Sequence, residues 1–303
     1  ALPVTEMVDL PFASKVRTEY NGQDVGVMHA CGHDNHVAIL MGVATVLAGM
    51  RNELEGSVKF IFQPAEEGAP EGEDGGAEMM IREGVLENPA PEVIFGLHAW
   101  PDTLGRLSYR PGGTMAASDR LRIVVRGRQT HGASPWGGVD PIVAAAQIIN
   151  GLQTIVSRQM DITAAASVVT IGQVNGGIRN NIIPDEVELI GTIRTFEPDM
   201  RAKLFEGLAR VAESVAAAHG ATVEHAIPAE AGNPVVRNDE DLLARVKPSF
   251  ERVAGAGKVV EIDPITGAED YAEYGRHAPA VFFFVGATPP DADMAAVASN
   301  HSP

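Results

Sequence analysis

The sequence predicts an α/β protein, a mixed sheet flanked by helices, with a second α+β domain inserted into it. Three observations lead there. Strand-like and helix-like segments alternate through the first third of the chain, which favours a sheet with helices packed on it. From about residue 115 the patterning changes to long alternating strands separated by two long helices. After Pro228 the first pattern resumes, so the first domain is discontinuous: 1–114 with 228–303, around an insertion at 115–227.

The elements follow in order. Val37 to Met50 is apolar, broken by Gly, and suits a buried helix entered from the Gly-containing segment Ala30–His36. Ser57 to Phe62 is a short β-rich run leading into Gln63-Pro64. Glu71 to Glu78 is acidic and Gly-rich, and reads as a surface loop. Glu92 to His98 (EVIFGLH) is a strand ending at a histidine. In the insertion, Arg120 to Arg126 (RLRIVVR) alternates polar and apolar, as a half-exposed strand does. Val139 to Arg158 is a helix opened by Asp140-Pro141, a cap followed by Pro in the first turn. Ser167 to Val174 is a strand, Asn175-Gly176-Gly177 a turn, and Glu186 to Thr195 a further strand. Pro198 to His219 is a helix closed by Gly220, and Ala221 to Ala226 a last short strand. The order β-α-β-β-α-β is the ferredoxin-like split pattern. Asp239 to Ala254 is then helical, capped by Asn238 or Asp239, and Ala280 to Val285 is a buried strand.

Bulk properties narrow the function. With 303 residues and 45% hydrophobic content the chain can bury a real core and form two domains. No stretch has the apolar length of a membrane span. The net charge of −17 disfavours nucleic acid and anionic membrane as partners. An anionic substrate would need a local cationic pocket against that field. The one cysteine excludes an intrachain disulfide. No signal peptide is visible, and a cytoplasmic location is expected. The chain opens at Ala1-Leu2-Pro3 without an initiator Met and stops at His301-Ser302-Pro303, so both ends read as cut.

The chemistry concentrates in a few motifs. His29-Ala-Cys31-Gly-His33-Asp34-Asn-His36 offers a thiol and imidazoles, donors that suit Zn²⁺ and neighbouring transition metals. Gly between Cys31 and His33 allows a turn to aim both at one ion, and Asp34 is placed to orient a ligand from behind. A His-rich loop with a buried Cys explains the cluster equally well when it is taken alone. Gln63-Pro64-Ala65-Glu66-Glu67-Gly68 follows a strand and carries adjacent carboxylates. One can ligate a metal while the other takes a proton from activated water. An isolated Glu-Glu pair is usually a solvated acidic turn, and only the company of the other motifs reverses that. His98 in Gly96-Leu97-His98-Ala99-Trp100-Pro101 and His301 in Asn300-His301-Ser302-Pro303 complete the set. Cys31, His33, Glu67, His98 and His301 would make five ligands, too many for one closed tetrahedral site and suited to a two-metal cluster or to one that exchanges ligands.

MHACGHDNH, QPAEEG, GLHAWP, HGASP, NNIIPDEVELIGTIRTF, GAEDYAEY and the terminal NHSP occur in an order that resembles the M20 metallopeptidase and aminoacylase family. The similarity spans essentially the whole chain. It is greatest to the amidohydrolase branch, which includes hippurate hydrolases, N-acyl-amino-acid aminoacylases, auxin-conjugate hydrolases and diaminopimelate deacetylases. The resemblance implies a zinc-peptidase-like catalytic domain and a smaller lid or dimerisation domain. It implies that Cys31, His33, Glu67, His98 and His301 ligate two divalent metals (Zn²⁺, Mn²⁺, Co²⁺ or Ni²⁺) and that Glu66 is the general base. His131 in HGASP matches a histidine brought to the scissile carbonyl, often from the partner subunit. There it would donate a hydrogen bond to the oxyanion. Asn181 and Arg194 match residues that hold the substrate's free carboxylate, for which a bidentate arginine is the expected receptor. Taken singly, His131 reads as a loop histidine, Asn181 as a turn residue and Arg194 as a solvent-facing strand residue. Glu269 and Asp270 in GAEDYAEY are expected behind the metal ligands, although helix capping explains Asp270 as well. Family members carry an upstream segment ending in Asp and a C-terminal helix after His-Ser-Pro.

The resulting expectation is a metal-dependent amidohydrolase acting on N-acyl-amino acids, as a homodimer or homotetramer. A dipeptidase or carboxypeptidase on the same machinery is the alternative. A metal- or amino-acid-binding protein without turnover would have lost a ligand or the base, and all six residues are present.

Overall fold

The computed structural model describes the chain except residues 69–74, 231, 296 and 303. Two compact units divide it. The first comprises 1–114, 237–263 and 273–303, and the second 115–236 and 264–272.

In chain order the first unit opens with strands β1 (Arg17–Tyr20) and β2 (Gln23–Gly26). Helices α1 (His33–Gly49) and α2 (Gly76–Arg82) follow, then β3 (Ile94–Thr103), β4 (Leu107–Tyr109) and β5 (Gly112–Met115). The second unit contributes β6 (Ala117–Arg126), β7 (Thr130–His131), α3 (Pro141–Gln159), β8 (Ser167–Gly176) and β9 (Ile182–Ile183). It continues with β10 (Glu186–Thr195), α4 (Pro198–Ala218) and β11 (Thr222–Ala226). The chain then passes through β12 (Val236–Asn238), α5 (Glu240–Ala254), β13 (Val259–Glu261) and β14 (Ala280–Thr288).

The first unit is built on a mixed sheet ordered β13-β4-β14-β3. β14 runs parallel to β3 and antiparallel to β4, and β13 parallel to β4. α1 packs on β3, and α5 on β13 and β14. Under α5 lies an apolar cluster of Tyr109, Leu242, Leu243 and Val281, with Phe250 and Phe283 against it. Asp239 caps α5, its Oδ1 accepting from the Leu242 N–H at 2.7 Å.

The second unit is an antiparallel sheet ordered β11-β6-β10-β8, with α3 and α4 packed on it. Alternation decides its faces, as the sequence predicts. Leu121, Ile123 and Val125 of β6 are fully buried against the helices. Arg122 and Arg126, between them, pair outward with Glu188 and with Glu186 and Glu224 of the flanking strands. Asp140 caps α3 by accepting from the N–H groups of Ile142 and Val143, with Pro141 at the first position. The unit also takes in 228–236 and 264–272. These segments are tied to it by backbone bonds such as Ala229 N–H to the Arg120 carbonyl and Ala116 N–H to the Gly267 carbonyl.

Four sequence expectations need correction. Ser57 to Phe62 forms no strand, because among the described residues no neighbouring strand offers it a ladder. The strand expected to end at His98 continues to Thr103, because β14 keeps pairing with it as far as Thr288. Of the segment expected as an acidic loop, 71–74 lies outside the described residues, and from Gly76 it is helical. The helix expected to be buried is exposed: no residue of α1 is buried, and Val37, Met41 and Val46 lie open. Its apolar side chains are spread round the helix, so β3 covers only one stripe of them.

Candidate metal centre

The first unit brings a thiol, imidazoles and carboxylates from four chain segments to one place. Gly32 makes the first turn possible. It has φ 82°, a left-handed conformation that side chains rarely adopt, and a Cβ there would meet the Ala99 Cβ at 3.1 Å. α1 starts at the next residue, so His33 and His36 share its first turn, with ring centroids 5.1 Å apart. Asp34, in the same turn, is exposed and makes no side-chain hydrogen bond among the described residues. Its charge suits the helix N-terminus.

Glu66 and Glu67 sit in the turn after Pro64, where Ala65 has φ 52°. Gly76, at the start of α2, lies so close to Pro64 that a Cβ there would overlap the Pro64 carbonyl oxygen at 1.6 Å. His98 is buried within β3. His301 arrives from the far end of the chain. Its N–H donates to the Ala30 carbonyl at 2.7 Å, and its φ is 70°. Two of the four described non-glycine residues with positive φ are therefore at this site, Ala65 beside Glu66 and His301 itself.

Side-chain distances define the cluster. His301 Nε2 is 3.3 Å from Cys31 Sγ and 3.2 Å from Glu67 Oε1. His98 Nε2 is 3.5 Å from Cys31 Sγ. His33 Nε2 lies 3.4 Å from Glu66 Oε2 and 3.7 Å from Glu67 Oε1. Within the first unit, three overlapping groups among the described residues have donor atoms mutually within 4.8 Å: Cys31, His33 and His98; Cys31, Glu67 and His301; His33, Glu66 and Glu67.

The donor chemistry fits transition metals. Burial pushes the His33 and His98 imidazoles below their ordinary range, so both offer lone pairs at neutral pH. The Ala99 carbonyl, which can only accept, accepts a hydrogen bond from the His98 Nδ1–H at 2.6 Å. This leaves Nε2 as the lone pair facing Cys31. Burial, reinforced by Glu67, pushes the Cys31 thiol up to about 12. A bound cation would reverse that by favouring the thiolate.

Two neighbours have no role in the sequence reading. Asn300 Nδ2 lies 3.6 Å from Cys31 Sγ, a contact across 269 positions with no local signal. His36 Nε2 accepts the Ala99 N–H at 2.8 Å. Its spacing of three from His33 is the signal that points to it.

The remaining candidates belong to the second unit. β7 pairs with β9, and the Gly132 N–H donates to the Asn181 carbonyl at 2.9 Å, which brings His131 and Asn181 side by side. The Ala133 N–H donates to His131 Nδ1 at 3.0 Å, so the neutral ring carries its proton on Nε2. Asn181 Oδ1 is buried without a hydrogen-bond partner among the described residues. Arg194, on β10, donates through Nη1 to the Thr192 hydroxyl and to the Ile193 carbonyl. Burial lowers its pKa from the ordinary value, opposed by Asp119. Glu269 and Asp270 are buried, and Glu269 Oε1 accepts from the Tyr271 N–H at 3.3 Å.

A thiol, imidazoles and paired carboxylates gathered from turns, a helix start and one strand of an α/β unit are the donor set of a metal-dependent hydrolase. The chain belongs to the peptidase family M20/M25/M40, whose model matches residues 1–302. It is 40% identical over 288 residues to N-acetylcysteine deacetylase of Bacillus subtilis, covering 94% of this chain and 70% of that protein. It is 36% identical over 294 residues to thermostable carboxypeptidase 1 of Saccharolobus solfataricus, covering 94% and 68%. Among solved structures it resembles a Bacillus subtilis protein described as a dinuclear metal binding peptidase from M20 family. The TM-score is 0.76 at 38% identity, covering 94% of this chain and 69% of that one.

Proposed function

We propose that the protein hydrolyses the amide bond of N-acyl-amino acids using two divalent metals held by Cys31, His33, Glu67, His98 and His301. The observation that carries this reading is the approach of these donors to within 4.8 Å of one another in overlapping groups. Zn²⁺, Mn²⁺, Co²⁺ or Ni²⁺ at this site would supply an acidified water and a Lewis acid for the carbonyl.

The chain's own groups do the rest. Glu66 takes the water proton and returns it to the leaving amine. Its Oε2 lies 3.4 Å from His33 Nε2, a closeness to the donor cluster that supports this role. His131 donates its Nε2 proton to the developing oxyanion, and the Ala133 N–H on Nδ1 favours that tautomer. Arg194 and Asn181 hold the α-carboxylate, Arg194 through its guanidinium and Asn181 through its Nδ2 donor. Glu269 and Asp270 take the ligand-supporting role that their family motif implies, and Asp34 acts through its charge at the α1 N-terminus.

Residues 115–227 serve as a ferredoxin-like lid and dimerisation domain inserted into a catalytic domain of 1–114 and 228–303, with 228–236 and 264–272 packing as part of the inserted unit. β8 is an edge strand with Val168 and Val174 exposed, an observation that supports pairing of two copies into a homodimer. No described helix is long and apolar enough to cross a membrane. We place the enzyme in the cytoplasm, acting on small molecules and not on nucleic acid or membrane.

The test is hydrolysis of N-acetyl- and N-benzoyl-amino acids with added Mn²⁺ or Zn²⁺. Glu66→Ala is expected to lose at least about 10²-fold in kcat, the usual worth of a general base. Equal rates in the two proteins would refute the role of Glu66. The similarity to a carboxypeptidase favours a second reading, cleavage of peptides on the same machinery. Dipeptides in the same panel separate the two by the ratio of kcat/KM.

A further inference from the structure

We propose that His36 is a positioning residue for the metal donor His98, acting through the backbone of Ala99. The inference rests on the reading of His98 as a metal ligand.

Ala99 is held from both sides. Its N–H donates to His36 Nε2 at 2.8 Å, and its carbonyl accepts from His98 Nδ1 at 2.6 Å. β3 is an edge strand of its sheet among the described residues, with β14 on one side only. The Ala99 N–H turns toward α1, and an imidazole nitrogen takes the place that a strand carbonyl would otherwise fill. An amide N–H can only donate, so His36 Nε2 carries no proton and its lone pair is committed to Ala99. His36 accordingly belongs to none of the donor groups. Its ring stands edge-on to His98, with centroids 4.5 Å apart at 74°, and the Gly32 backbone closes on the Ala99 side chain. Ala99 therefore has little freedom to shift. Its carbonyl fixes both the tautomer and the direction of His98, whose Nε2 lies 3.5 Å from Cys31 Sγ.

Cobalt substitution provides the test, because a Co²⁺ ion bound by Cys31 gives a thiolate-to-metal absorption band and ligand-field bands that report donor geometry. The full chain, freed of metal, is titrated with Co²⁺ for the wild type, His36→Gln, His36→Leu and Cys31→Ser, with circular dichroism as the check on folding. His36→Gln keeps an acceptor at similar reach and is expected to bind Co²⁺ within a few-fold of wild type with the same bands. His36→Leu removes the acceptor and is expected to lose about 10–100-fold in Co²⁺ affinity, the usual cost of losing such a support, with shifted ligand-field bands. His36→Ala, with a smaller side chain that cannot clash, carries the same expectation should the leucine variant misfold. Wild-type affinity and spectra in folded His36→Leu or His36→Ala would overturn the inference while leaving the donor set standing. A wild-type protein that binds Co²⁺ without the thiolate band, or a Cys31→Ser variant that binds Co²⁺ as tightly as wild type, would instead remove the donor reading and this inference with it.

Discussion

At the scale of residues, the candidate site is shaped as much by backbone conformation as by side-chain identity. Gly32 separates Cys31 from His33 with a left-handed backbone, and its missing side chain lets Ala99 approach. Gly32→Ala is expected to cost about 1–2 kcal/mol from the left-handed backbone alone, with further loss as Ala99 is displaced. Thermal melting measures the first effect and Co²⁺ titration the second. A variant unchanged in both would show that the turn tolerates a side chain. Cys31, His33 and the Glu66-Glu67 pair were recognisable in sequence because their motifs are short and local. The use of His36 was not, because its partner is a backbone N–H on a strand more than sixty positions away.

At the scale of elements, periodicity was a good guide wherever one face of a segment is buried. β10 runs from Glu186 to Thr195 as its alternation predicts, and Leu189 and Ile193 lie fully buried under α3 and α4. Leu189→Ala is expected to destabilise the second unit by about 2–5 kcal/mol through the lost burial and the cavity left behind. Denaturant unfolding checks this, and a loss under about 0.5 kcal/mol, the size of an ordinary surface change, would contradict the packing described. Periodicity failed where burial is not one-sided. Ser57 to Phe62 has strand-forming composition but no partner among the described residues, and β propensity needs a neighbour to act on. α1 is apolar on most of its faces, which predicts burial, yet among the described residues it packs chiefly on β3 and keeps its other faces open.

At the scale of the whole molecule, the proposed metals would link segments that are far apart in the chain. Cys31 and His301, with Sγ and Nε2 3.3 Å apart, are 270 positions from each other. A ligand bound only by the folded state stabilises it by mass action, by about 2.7 kcal/mol at 100 times its Kd. Removing metal with EDTA is therefore expected to lower the Tm by several degrees, and readdition of Zn²⁺ or Mn²⁺ to restore it. Cys31→Ser should shrink that difference, and a wild-type Tm indifferent to EDTA would argue against the site. The sequence by itself determined the alternation of strands and helices, the inserted β-α-β-β-α-β segment and the donor types, because these depend on short-range patterns and residue chemistry. Only the tertiary structure decided that His301 docks on Ala30, that His98 lies within a strand instead of at its end, and that Ala99 is clamped between two imidazoles. Such contacts depend on the packing of distant segments, and no local pattern encodes the distance between them.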